Sequence, residues 1–284
     1  MSEKVFLCAI SNISSGHCVE DCKFCTQSVR HGATIERFYH KPIETIVEEA
    51  KAARERQAIG FCLVTAGKGI DEKTLRFVCE AAEAVKKEVE DLNLIACNGT
   101  ASMEQLRILK DHGIDSYNHN LETSESFYPA ICTTHGWRER YETCENIKTA
   151  GLKLCTGGIF GLGETMEDRI SLLESIRSLD PESAPINFFH PNAALPLEGR
   201  TLPIEEALEM VRIARGILGP DRRIMVAGGR EITFGEEDYR IFEAGANAIV
   251  IGNYLTTRGN DPMRDHAMLK KYGYEIAKSC KDEK

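Results

Sequence analysis

Apolar residues along this chain switch between two spacings, and the switch recurs about eight times. Short runs rich in branched and aromatic residues read as strands at 5–10, 60–66, 93–99, 116–121, 153–160, 184–189, 223–227 and 248–254. Between them, apolar residues stand three and four apart. Ile43, Ile46, Val47 and Ala50 form one such stripe, and Leu172, Leu173, Ile176 and Leu179 another. Ser102 with Gln105, and Thr165 with Asp168, predict capped helix starts. Gly113, Gly151 and Gly245 fall where helices should end. Strands alternating with helices imply parallel pairing through right-handed crossovers. Eight such units predict a closed (β/α)8 barrel, an α/β fold. The alternative, an open doubly wound sheet, lacks its Gly-x-Gly-x-x-Gly turn after the first strand.

A length of 284 residues suits one barrel domain, 1–284, with a solvated tail from about residue 278. A net charge of −9 argues against nucleic-acid binding, and no apolar run is long enough to span a bilayer. No secretory signal precedes the first strand, so a cytoplasmic enzyme acting on a small molecule is expected. Eleven cysteines in a reducing compartment point to metal or cluster ligation rather than to a disulfide framework.

Three of those cysteines, Cys18, Cys22 and Cys25, follow the first strand in the spacing Cys-x3-Cys-x2-Cys. Three thiolates hold an iron–sulfur cluster with one iron left open, whereas four would close it to anything but electron transfer. A zinc knuckle completed by His17 is the alternative, but His17 adjoins Cys18 and offers poor geometry. Four more residues fall within predicted strands: Cys62, Cys97, Cys155 and Arg230. If the three thiols face inward, they could grip a second cluster, and a buried arginine beside them would need an anionic partner. Each of these cysteines could equally be a small core residue. Cys8, Cys79, Cys132, Cys144 and Cys280 stand in no motif, and core packing is expected for them.

Cys18-Val-Glu-Asp-Cys22-Lys-Phe24-Cys25 carries the signature of radical S-adenosylmethionine enzymes. From about Leu7 to Thr257 the chain resembles the biotin synthase family. The resemblance rests on that triplet, Phe61-Cys62, Ala96-Cys97, the run Tyr117 to Thr123, the run Gly157 to Thr165, Pro185-Ile186-Asn187, and Ala227 to Glu231. It implies a 4Fe-4S cluster on Cys18, Cys22 and Cys25, and a 2Fe-2S cluster on Cys62, Cys97, Cys155 and Arg230. It also implies S-adenosyl-L-methionine as the source of a deoxyadenosyl radical, and sulfur insertion into dethiobiotin to form biotin.

By the same resemblance, Phe24, Asn120, Glu122, Arg140, Gly161 and Gly163 would contact S-adenosylmethionine, while Asn120 and Asn187 would contact the substrate. A solvated helix charge is the alternative for Arg140, and a tight turn for the two glycines. His119, by strand alternation, points away from Asn118 and Asn120 and is expected in the core. The family usually has Asp where Glu122 stands, and many members have Arg where Gly60 stands; the loop from His190 also departs. The resemblance further implies a flavodoxin- or ferredoxin-type electron donor and a homodimer. Another radical S-adenosylmethionine barrel, or an iron–sulfur carrier, are the competing readings; a carrier would need an exposed cluster.

Overall fold

The predicted apolar runs fold into parallel strands because each is fed by a helix that crosses back over the sheet. The structure, a computed structural model, describes residues 4–280. Its elements run β1 (Lys4–Ser14), α1 (Ile43–Glu55), β2 (Gly60–Thr65), α2 (Glu72–Glu88), β3 (Asn93–Cys97), α3 (Met103–Asp111) and β4 (Ser116–Asn118). There follow α4 (Tyr128–Ile131), α5 (Trp137–Thr149), β5 (Lys153–Cys155), β6 (Gly158–Phe160), α6 (Met166–Leu179) and β7 (Ser183–Phe188). The chain ends with α7 (Ile204–Leu218), β8 (Arg223–Val226), α8 (Arg230–Phe234), α9 (Arg240–Glu243), β9 (Ala248–Val250), α10 (Pro262–Lys271) and β10 (Glu275–Ile276).

Hydrogen-bonded order is β1-β2-β3-β4-β5-β7-β8-β9, and β9 pairs back onto β1 to close the ring. All of these pairings are parallel, as the predicted barrel requires. β10 lies outside the ring beside the start of β1. Both predicted capping boxes form, on Ser102 and Thr165. Gly113, Gly151 and Gly245 all have positive φ just past their helices.

The fifth strand differs from its prediction. The expected run 153–160 breaks into β5 and β6 around Thr156-Gly157. Gly157 donates no side chain because none fits: a Cβ there would lie 1.8 Å from the Pro185 carbonyl oxygen. Its own carbonyl accepts from the amides of Leu121 (2.9 Å) and Glu122 (3.2 Å), so the chain after β4 is tied to the break. At the expected tail, Lys278 is exposed and the Cys280 carbonyl accepts from Arg223 at 2.5 Å; residues 281–284 lie outside the described residues.

Strand alternation divides the core in two. Leu7, Phe61, Leu63, Leu94, Ala96 and Tyr117 join the large core between strands and helices. The alternate phase faces the lumen, where Cys62, Val64 and Ile95 cluster with Ile10 and Cys97. Phe6, Ile59, Ala248, Met225 and Cys280 plug the lower end. The lumen is therefore apolar below and thiol-bearing above.

Candidate active site

The C-terminal ends of barrel strands carry the reactive groups in this architecture, and the cysteine triplet sits there on the loop after β1. That loop is held by short backbone bonds. The Cys25 amide donates to the Cys22 carbonyl (3.0 Å), and the Val29 amide to the Cys18 carbonyl (2.8 Å). All three thiols are half-buried. Burial pushes the Cys25 thiol up to about 11. It also raises Cys18, so a cation bound by this loop would have to displace the thiol protons. Phe24 packs on the main core beneath the loop. His17 stacks on Tyr39 with ring centroids 4.0 Å apart, away from any metal role.

In the lumen, β2 and β3 bring Cys62 and Cys97 together. The contact between the two thiols raises Cys62 and lowers Cys97; Asn118 also donates to the Cys97 sulfur at 3.4 Å. Cys155 pairs in register with Asn118 on β4, and burial pushes its thiol up to about 12. The three strand thiols thus share the lumen-facing phase, as the inward reading required.

Arg230 does not join them. The turn Gly228-Gly229 carries the chain out of the sheet. Gly229 has φ +79, and a Cβ on it would lie 2.0 Å from the Phe188 carbonyl oxygen. Arg230 is accordingly the first residue of α8 and not a strand residue. Its fully buried guanidinium donates to Asp265 at 2.9 and 2.8 Å, to Asp238 at 3.0 Å and to the Val250 carbonyl at 3.3 Å. The expected anionic partner exists, but it is a pair of carboxylates. The lumen-facing residue of β8 near the plug is Met225.

Above the thiols lies a polar shelf. Glu122 has φ +69, a conformation that costs a non-glycine residue of order 1–3 kcal/mol and persists only where its surroundings enforce it. Arg140 Nε donates to the Asn120 carbonyl at 2.5 Å, and its terminal nitrogen to Glu122 at 3.3 Å. Burial raises the Glu122 carboxyl, with the Arg140 charge opposing the shift. Asn118 Oδ1, Asn120 Oδ1 and Glu122 Oε2 are buried acceptors with no partner among the described residues. Buried acceptors of this kind call for hydrogen-bond donors from a ligand. Asn118, one of the two asparagines that flank His119, adds a third unpartnered acceptor to those of Asn120 and Glu122.

Asn187 on β7 donates to the Gly158 carbonyl (3.1 Å) and accepts from the Gly228 amide (2.9 Å), which leaves one N–H and one lone pair for a ligand. The glycines serve the chain itself. Gly161 gives its amide to Glu164, and a Cβ there would lie 2.5 Å from the Arg200 carbonyl oxygen; Gly163 has φ +99. His119 is buried at 2 % exposure, as its phase predicted. Gly60 also has a reason: a Cβ would meet the Cys8 sulfur at 2.7 Å, so Cys8 occupies the space a side chain at 60 would need. Cys79 and Cys144 are core residues as expected. Cys132 is more than that, because its sulfur lies 3.7 Å from the Cys22 sulfur.

Residues 12–176 match the radical SAM superfamily, and residues 185–275 the biotin and thiamin synthesis associated domain. A protein of Sulfurovum sp. (strain NBC37-1) named biotin synthase is 64% identical over 278 residues, 98% of each chain. The chain belongs to the biotin synthase family. A second relative in that family, from Aliarcobacter butzleri (strain RM4018), is 62% identical over 98% of each chain. Among solved structures, methylornithine synthase superposes with TM-score 0.80 at 21% identity, covering 96% of this chain and 84% of its own. An FeFe-hydrogenase maturase from Carboxydothermus hydrogenoformans gives 0.81 at 17%, covering 96% and 68%. These two share the barrel; membership of the biotin synthase family is what separates this chain from them.

Proposed function

We propose that this chain converts dethiobiotin to biotin by S-adenosylmethionine-dependent sulfur insertion, as its family name implies. The observation that carries the reading is 64% identity over 98% of the chain, together with a loop triplet and three lumen thiols in one barrel. When bound, the 4Fe-4S cluster supplies the electron that splits S-adenosylmethionine, and the 2Fe-2S cluster supplies the sulfur.

The protein's own residues bind, orient and exclude. Cys18, Cys22 and Cys25 would hold the first cluster with one iron open. Cys62, Cys97 and Cys155 would hold the second from within the lumen. Arg230 is left out of that set, because its two terminal nitrogens donate to Asp265, Asp238 and Val250, and only its Nε lacks a partner among the described residues. Asn118, Asn120 and Glu122 offer unpaired acceptors to the nucleoside and substrate, and Arg140 fixes the backbone and carboxylate that carry two of them. Asn187 would orient the substrate with its remaining donor and acceptor. The apolar plug below keeps water from the lumen floor.

Lumen-embedded thiols disfavour the carrier reading, which needs an exposed cluster. No helix among the described residues is long and apolar enough to cross a membrane, which agrees with a cytoplasmic enzyme. A flavodoxin- or ferredoxin-type donor and a homodimer complete the reading. Anaerobic incubation of reconstituted protein with dethiobiotin, S-adenosylmethionine and a low-potential reductant should yield biotin, methionine and 5′-deoxyadenosine. Cleavage of S-adenosylmethionine without biotin would assign the chain to another radical barrel.

A further inference from the structure

Cys132 sits just past α4, 110 residues from Cys22, yet the two sulfurs are 3.7 Å apart. Hydrogen bonds on both sides of each cysteine fix that approach. The Lys23 amide donates to the Ile131 carbonyl at 2.9 Å. The Asp21 carboxylate accepts from the amides of Thr133 (2.9 Å) and Thr134 (3.2 Å) and from both threonine hydroxyls. The first contact lies one residue after Cys22 and one before Cys132; the second lies one before Cys22 and one after Cys132. The two segments therefore run antiparallel with Cys22 opposite Cys132. The Cys132 thiol also donates to Asp21 at 3.3 Å, which keeps its sulfur on this side.

Facing residues of antiparallel segments have Cα atoms about 4.5–5.5 Å apart. A disulfide spans Cα separations of about 4.4–6.8 Å and sets its sulfurs about 2.05 Å apart. From 3.7 Å the sulfurs have about 1.7 Å to close, which rotation about the two Cα–Cβ bonds supplies. Among the described residues, the sulfurs of Cys18, Cys22 and Cys25 do not all come within 4.8 Å of one another. The Cys22 sulfur meets Cys132 instead. Cys22 is half-buried and open to a small reagent, whereas Cys132 is 2 % exposed. The more open thiol is the one that reacts first, and the buried one is placed to resolve it.

We propose that Cys22 and Cys132 form a reversible disulfide when the cluster-free chain meets a small-molecule disulfide. The Cys22 thiolate attacks the reagent, releases one thiol and is left as a mixed disulfide. The Cys132 sulfur then attacks the Cys22 sulfur and displaces the second thiol. Two protein thiols lose two electrons and two protons, and one reagent disulfide gains them to become two thiols. A small dithiol reverses both steps. The consequence rests on the proposed function, in which Cys22 holds the first cluster. The cross-link withdraws one of the three ligands, so the oxidised chain cannot take up the 4Fe-4S cluster and reduction reopens the site. Meanwhile both cysteines are kept from irreversible oxidation.

Anaerobic, metal-stripped full-length protein, reduced and then exposed to oxidised glutathione, tests the pairing. Remaining thiols are blocked with N-ethylmaleimide and the peptides mapped by mass spectrometry. The parent should give a cross-linked peptide that joins the Cys22 and Cys132 segments and disappears with dithiothreitol. Cys18→Ser and Cys25→Ser should still form it. Cys132→Ser should instead trap glutathione on Cys22, because the resolving sulfur is gone. Near-ultraviolet circular dichroism checks that each variant is folded. A folded parent in which glutathione stays on Cys22 overturns the proposal, as does one in which Cys22 pairs with Cys18 or Cys25 while Cys132 remains alkylated. Offered a preformed 4Fe-4S cluster by a scaffold protein without added thiol, oxidised parent should gain no cluster absorption, and reduced parent and reduced Cys132→Ser should both gain it. Uptake by parent shown to be fully cross-linked would refute the blockade. A reduced parent that gains no cluster would instead count against the proposed function and leave the peptide map standing.

Discussion

Arg230→Met separates two roles that a sequence cannot tell apart. As a cluster ligand, Arg230 would be dispensable for folding and its loss would show in the second cluster. As a buried charge partner, its loss would show in stability. Arg230 and Asp265 are each 0 % exposed, and Asp238 is 1 %. After the substitution, Asp238 keeps Arg264 at 2.9 Å, but the nearest cation to Asp265 is Arg264 at 3.9 Å. The cost therefore falls on Asp265. Breaking a buried pair from one side costs about 3–5 kcal/mol, because the other charge stays buried. At about 2 °C per kcal/mol for a chain of this size, the melting temperature of cluster-free protein should fall by roughly 6–10 °C. Arg230→Met combined with Asp265→Leu should recover much of that loss, since an apolar replacement of a whole buried pair is often neutral. Both variants, reconstituted below their melting temperatures, should bind parental amounts of iron. An Arg230→Met protein that melts like the parent but lacks the 2Fe-2S absorption would falsify the argument and return Arg230 to the ligand set.

Alanine at Cys18, Cys22 or Cys25 should abolish reductive cleavage of S-adenosylmethionine, read as 5′-deoxyadenosine. Alanine at Cys62, Cys97 or Cys155 should spare the 4Fe-4S spectrum and end biotin formation; normal biotin from all three would make them core residues. Gly157→Ala should give little folded protein, because its Cβ would sit 1.8 Å from a backbone oxygen that cannot yield; parental yield and melting would show the close approach to be unimportant. His119 supplies a pH dependence. Burial holds its pKa well below the ordinary value, so the native state stays unprotonated while the unfolded chain binds a proton below about pH 6.5. Its contribution is thus complete above that pH and declines as pH falls, by up to about 1.4 kcal/mol per unit. His119→Leu should be less sensitive than the parent between pH 6.5 and 5 in denaturant titrations; identical slopes would mean that His119 protonates inside the fold.

The barrel was legible because its signals are local. Alternation at period two, stripes at period 3.6, two capping boxes and three positive-φ glycines each report on neighbours a few residues away. The triplet was legible for the same reason, and the lumen thiols followed once strand phase was assigned. What escaped is set by distant contacts. The break between β5 and β6 depends on how closely β7 approaches Gly157. Arg230 seemed to continue a strand because nothing in Ala227-Gly228-Gly229 marks which glycine turns the chain outward; the Phe188 carbonyl decides it. Cys132 stood in no motif, and its place beside the Cys22 sulfur depends on a loop more than a hundred residues earlier.

Gly60 and Cys8 show how a departure from the family pattern can be absorbed without touching a ligand. An arginine at 60 would need lumen space that the Cys8 sulfur fills, 2.7 Å from where a Cβ would stand. The two positions are therefore coupled: a side chain at 60 requires a smaller or differently placed residue at 8. Cys8 is paired in register with Gly60, one lumen-facing step below Ile10 and Cys62, between the apolar plug and the thiol cluster. A charged side chain entering there would be desolvated without a carboxylate such as Asp265 to meet it, and that cost is large for an unpaired buried charge. A sulfur and a bare glycine avoid it. Gly60 and Cys8 thus add no formal charge beneath the strand thiols, where Arg223 already stacks on Phe6 at 4.4 Å and pairs with Glu182, while the arginine that the strand pattern suggested is neutralised outside the ring by Asp238 and Asp265.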